Sequence, residues 1–215
     1  MTESLEFPEL YVEGEDDRHT IIHLLKRHGI ELDRDKGPVV VKNVKNDQEV
    51  LKAMRTATKA STDRAVAFVL DTDRLLADRW KSVCDRLDNL QLQLPAAMPE
   101  DGFVQLSPVN NANIGVWIMP DNRTDGGQLE DLIRTLVPAQ DTLLPHAQAS
   151  TTAAQNLGAK FPAKNFRKAL LHTWLSWQEK PGNSYGLAIK AEYFLHESDA
   201  AAKFVRWFKS VFAIT

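Results

Sequence analysis

Two stretches constrain this chain more than any others: LYVEGEDD, residues 10–17, and AVAFVLDTD, residues 65–73. In each, an apolar, β-branched run of strand length ends directly in carboxylates. Uninterrupted apolar strands suit a parallel sheet covered on both faces. Open α/β sheets bind ligands in the crevice beyond the carboxyl ends of their strands. Glu13, Asp71 and Asp73 are therefore expected to meet in space although far apart in sequence. Three carboxylates brought together at neutral pH repel one another and need a cation. Oxygen-only ligation points to Mg²⁺ or Mn²⁺. Asp71 and Asp73, at i and i+2, are expected to project from the same face of one strand as co-ligands.

The first two thirds of the chain alternate strand and helix, which indicates βαβ units. LYVEG reads as the first strand, followed by the amphipathic helix DDRHTIIHLLKRHG. Asp16 and Asp17 fall in its first turn, where carboxylates complement the helix dipole, and Gly29 is a stop signal. VVVKNVK from Val39 is the second strand, and NDQEVLKAMRTATKAS a helix capped by Asn46 or Asp47. The helix after the third strand carries Leu75, Leu76, Trp80, Val83, Leu87 and Leu90 on an apolar side. FVQLSP and NIGVWIMP read as two further strands, DNRTDGG as a polar turn, and QLEDLIRTLVP as a short helix. From Asp141 to Lys160 the periodicity is weak, and a loop or a loosely packed helix is expected. NFRKALLHTWLSWQ predicts a helix with Trp174 and Trp177 in the core, followed by a KPGNSYG turn and two more helices. Expected throughout is an α/β fold, a largely parallel, Rossmann-like sheet flanked by helices (1–140), with an α-helical C-terminal extension (141–215) packed on it as one structural domain.

A hydrophobic fraction of 43% and a charged fraction of 26% are those of an ordinary globular chain. The net charge of −3 gives no global positive field, though a local basic face can coexist with an acidic site. A lone cysteine, Cys84, excludes an internal disulfide framework and a multi-thiolate zinc site. No apolar run approaches the roughly 20 residues needed to span a bilayer. The start MTESLEFPEL lacks the basic and apolar regions of a signal peptide, so a cytoplasmic protein without membrane contact is expected. The histidines form no zinc-ligand spacing, and no phosphate-binding glycine loop is present.

Val12-Glu13-Gly14-Glu15-Asp16-Asp17, followed one helix, one strand and another helix later by Asp71-Thr72-Asp73, resembles the TOPRIM fold. That family includes topoisomerase and primase catalytic domains and the OLD-family nucleases. Segments 119–133 and 164–189 look like those of small, stand-alone TOPRIM-like bacterial proteins grouped as a domain of unknown function. Topoisomerase and primase members commonly read Asp-x-Asp-x-Glu, whereas here Leu75 stands at the third acid. The resemblance implies that Glu130 replaces it. Asp131 lies about 100° further around a helix, so it cannot face the same ion as Glu130.

A TOPRIM-like site implies Mg²⁺-dependent phosphodiester hydrolysis, with two Mg²⁺ or Mn²⁺ ions flanking the scissile phosphate of DNA or RNA. Glu13 is then ligand or general base, Asp17 supports the ions from the first helical turn, and Asp71, Asp73 and Glu130 are ligands. The resemblance also implies a lysine that stabilises developing phosphate charge. Lys164 and Lys168 lie four apart on one helical face with Arg167 beside them, the best basic patch for nucleic acid. OLD nucleases join this domain to an ABC-type ATPase, which this chain lacks. By analogy a separate ABC- or AAA-type ATPase partner is implied, in a phage-defence or DNA-repair setting, with a second copy of the chain as a further candidate partner. The alternative is a TOPRIM-like module that binds metal, nucleotide or nucleic acid without catalysis, which the missing acid at Leu75 and the net acidity favour. In a third reading the metal site is only a structural staple of an interaction protein.

Overall fold

The computed structural model describes residues 7–32 and 38–215. Strand and helix alternate as β1 (Glu9–Val12), α1 (Glu15–Arg27), β2 (Val40–Asn43), α2 (Asp47–Ala60), β3 (Val66–Asp71) and α3 (Leu76–Leu87). There follow β4 (Phe103–Leu106), β5 (Asn113–Met119), α4 (Leu129–Arg134), α5 (Leu143–Asn156), α6 (Phe166–Leu175), α7 (Tyr185–Lys190) and α8 (Asp199–Phe212). The strands form one five-stranded sheet in the order β2-β1-β3-β5-β4. All neighbours pair in parallel except β4, which runs antiparallel to β5 along one edge.

Side chains alternate across a strand, so each central strand feeds two cores. Leu10, Val12, Ala67, Val69, Trp117 and Met119 point to one face, where α1, α4, α6, α7 and α8 cover them. Tyr11, Phe68, Leu70, Ile114, Val116 and Ile118 point to the other, covered by α2 and α3. The C-terminal helices therefore share a core with the first strands. Close approach is built in: a Cβ on Gly115 of β5 would stand 2.5 Å from Val211 Cγ2 of α8 and 3.2 Å from Ala67 Cβ. Gly115→Ala is expected to destabilise the chain by roughly 1–3 kcal/mol, read as a lower urea midpoint with an unchanged slope.

The expected element starts hold where a cap was legible. The Asn46 side chain accepts from Glu49 N at 3.0 Å, and Gly29 closes α1 with φ 77°. Residues 141–160 contain the helix α5, which buries only Ala147 and Thr151, so of the two expected alternatives the loosely packed helix is present. Three expectations need correction. Leu75 is not on the apolar side of α3 but is its N-cap, 52% exposed. Trp174 is buried, but Trp177 lies beyond the end of α6, 38% exposed and stacked on His146. The helix carrying Lys168 begins only at Phe166, so Lys164 sits in the preceding 3₁₀ turn. Among the described residues no helix is long and apolar enough to cross a membrane.

Candidate metal and phosphate site

β1 ends at Val12 and β3 at Asp71, side by side in parallel register, so the chain leaves both strands at the same edge of the sheet. Glu13 follows β1 directly and its Oε1 accepts from Asp71 N at 2.8 Å. Asp71 in turn accepts through Oδ1 from Leu129 N, the first residue of α4, at 3.0 Å. Each carboxylate is thus oriented by a backbone amide through one oxygen. Their second oxygens have no hydrogen-bond partner among the described residues. Asp17 enters from the first turn of α1 and Glu130 from the first turn of α4. Asp71, Asp17, Glu130, Lys164 and Lys168 line one cleft of about 400 Å³ together with Gly14 and Gln128.

The electrostatics follow from burying like charges together. Burial raises Glu13 to about 7, opposed by the Asp71 amide and reinforced by Asp17, Asp73 and Asp47. Burial likewise raises Asp17 to about 7, with Glu130 the leading charge against it. Asp71 is driven well above the usual carboxylate range by burial and then by Glu13, Asp17 and Glu130. Burial also raises Glu130, although the Lys168 ammonium and a 3.4 Å hydrogen bond from Tyr185 Oη pull the other way. The cluster is short of positive charge. Oxygen donors only, partly dehydrated and mutually repelling, fit a hard divalent cation. Among the described residues no three His, Cys, Asp or Glu side chains are already set to hold an ion, so the acids surround the cleft without forming a closed cage.

Asp73 departs from expectation. β3 stops at Asp71, and Asp73 follows it with a left-handed φ of 62°, so the i, i+2 alternation of a strand no longer applies. Its carboxylate is ion-paired with Arg79, whose Nη1 also bonds Asp47 Oδ2 at 3.2 Å. Arg167 is a second correction. Its Nη1 donates to Gly126 O at 3.0 Å and its Nε meets Asp131 Oδ1 at 2.8 Å, so it ties α6 to the loop before α4 and does not line the cleft. Asp131 also accepts from Gln128 N at 2.9 Å, which holds it away from Glu130's direction. Lys168 reaches the cleft and bonds Asp16 Oδ2 at 2.8 Å, so Asp16 also belongs to the site. Burial works against the charge on Lys168, but Asp16, Glu130 and Asp17 outweigh it and raise its pKa.

Two residues were not legible as part of the site. Tyr185, at the start of α7, stacks on His172 with ring centroids 5.0 Å apart and reaches Glu130; no local pattern marks it. Arg79 did leave a signal: it stands at i+3 from Leu76 and i−4 from Val83, a charge inside an apolar helical stripe.

Fold and site together define an α/β protein with a carboxylate cluster and two lysines at the carboxyl edge of its sheet. Over residues 8–213 the chain matches the family described as a protein of unknown function, DUF3226, and it belongs to that family. No curated protein and no solved structure matches it significantly.

Proposed function

We propose that this chain is a Mg²⁺-dependent phosphodiesterase of TOPRIM-like fold, a nuclease acting on DNA or RNA. One observation carries the reading: Lys164 and Lys168 line the same cleft at the strand ends as Asp71, Asp17 and Glu130. An acidic cluster alone would repel a phosphodiester; a bound cation with lysines in the same cleft would attract it. Glu13, Asp17, Asp71 and Glu130 are the groups that would hold Mg²⁺, which when bound polarises phosphoryl oxygens and acidifies water.

The chain's own groups supply the rest. Glu13, raised by burial while no cation neutralises the cluster, would serve either as a ligand or as the base that takes a proton from an attacking water. Lys168 would supply positive charge to the non-bridging phosphate oxygens, where it counts most as negative charge develops. To act there it must leave Asp16, an exchange of one anion for another. Lys164 lines the same cleft and adds a second positive charge to it. Tyr185 orients Glu130 from the buried side.

The test is cleavage of plasmid and single-stranded DNA and RNA with Mg²⁺ and Mn²⁺, comparing the wild type with Lys168→Met. Metal-dependent cleavage that drops by roughly 10²–10³-fold in the variant, with Mn²⁺ affinity little changed, is the expected result. A second reading, a domain that binds metal or nucleotide without turnover, is favoured by the engagement of Asp73 with Arg79. Metal binding by the wild type without cleavage of any of these substrates would leave that reading standing. A regulated nuclease would then have to be shown by activity restored with an ATPase partner.

A further inference from the structure

We propose that the cleft takes a single divalent ion and that the Arg79 guanidinium permanently supplies the positive charge on the Asp73 side. This inference rests on the hydrolase reading and deepens it.

The end of β3 divides its two acids between the two halves of the site. Asp71 accepts from α4 and shares a cleft with Glu130, Asp17 and Lys168, whose helices cover one face of the sheet. Asp73 turns toward α2 and α3, which cover the other, and meets Arg79 there. Arg79 is only 7% exposed and bridges two carboxylates that start from different helices and loops, Asp47 and Asp73. A guanidinium is a permanent cation with several donors in a fixed fork, suited to hold two acids at once. A divalent ion bound by Asp73 would therefore face a buried positive charge that cannot be discharged.

The backbone keeps Asp73 there. Gly126 N donates to Arg74 O at 2.6 Å, Leu76 N to Asp125 Oδ1 at 2.7 Å, and Thr72 N to Gly127 O at 2.9 Å. Gly127 must remain glycine for this contact, since a Cβ there would lie 2.3 Å from Pro120 Cδ and 2.7 Å from Met119 O. Arg167 holds the same loop through Gly126 O. Shifting the backbone at Asp73 would break this interloop ladder, and turning its side chain into the cleft would break its ion pair with Arg79. Asp73 is accordingly a positioning residue, acting through Arg79 on the local charge.

The test is Mn²⁺ titration of the full chain by calorimetry and electron paramagnetic resonance. One ion per chain without Mn–Mn coupling is expected for the wild type. Asp73→Asn should change the Mn²⁺ affinity by less than about 3-fold, while Asp71→Asn weakens it by roughly 100-fold. Arg79→Met, shown to be folded by circular dichroism, should gain a second, spin-coupled ion; Arg79→Lys, which keeps the charge, should not. Two ions in the wild type would overturn this inference alone, as would a tenfold or greater loss in Asp73→Asn or a folded Arg79→Met that still binds one. No ion bound by the wild type would overturn the hydrolase reading with it. If Arg79→Met does not fold, wild-type stoichiometry and the Asp73→Asn affinity decide.

Discussion

Asp71→Asn is expected to abolish metal-dependent cleavage and, at the same time, to raise the melting temperature of the metal-free protein near neutral pH. The substitution keeps the acceptor oxygen for Leu129 N, so the local fold has no reason to move. It removes a buried carboxyl that, facing Glu13, Asp17 and Glu130 without a cation, the folded chain must keep either charged and unmatched or protonated against the solution. Relieving either penalty stabilises the fold. At about pH 8 a gain of roughly 5 °C is expected for a chain of this size. Loss of a ligand should cost at least roughly 100-fold in metal affinity and in metal-dependent rate. Differential scanning fluorimetry beside a cleavage assay reads both. A variant that loses activity and stability together would mean that Asp71 is a structural residue, and would count against the site.

The metal-free wild type is expected to lose stability as pH rises from about 5 to about 8, and Mg²⁺ to restore it at the upper end only. Glu13 and Asp17 titrate at about 7 in the folded chain, against ordinary values of 4.5 and 3.8. Between these limits the folded state holds protons that the unfolded chain has released. The stability linked to those protons is fully present below the unfolded values and is lost as pH rises through the folded ones. For Glu13 alone the shift corresponds to roughly 3 kcal/mol, and coupling within the cluster prevents simple addition. His23 and His172 act in the opposite sense, because burial lowers their pKa values and the folded state favours the neutral rings. The comparison that isolates the cluster is therefore wild type against Asp17→Asn across the same range. A wild type whose melting temperature follows the variant's at every pH would show that the acids are not electrostatically strained.

These two experiments address charge, and charge is where sequence and structure part company. The strands ending at Val12 and Asp71 were legible because uninterrupted β-branched runs have few alternatives, and the caps at Asn46 and Gly29 because they are local chemistry. The meeting of Glu13 with Asp71 followed from parallel neighbours that end at one edge. The fate of Asp73 did not follow. A single left-handed residue after the strand redirected it, and its partner Arg79 lies on a helix whose packing angle no short pattern encodes. Arg167 and Lys168 show the same limit. One residue apart on α6, they differ by about 100° around the helix, so one secures a loop and the other enters the cleft.

The sequence by itself determined the alternation of strands and helices, the two-sided core and the edge at which carboxylates gather, because hydrophobic periodicity and capping act over a few residues. Only the tertiary structure decided which of those carboxylates share a cleft and which are neutralised by Arg79. Electrostatic roles depend on distance and burial among groups that chain connectivity does not bring together, and a few ångströms separate a charge left in want of a cation from one already matched.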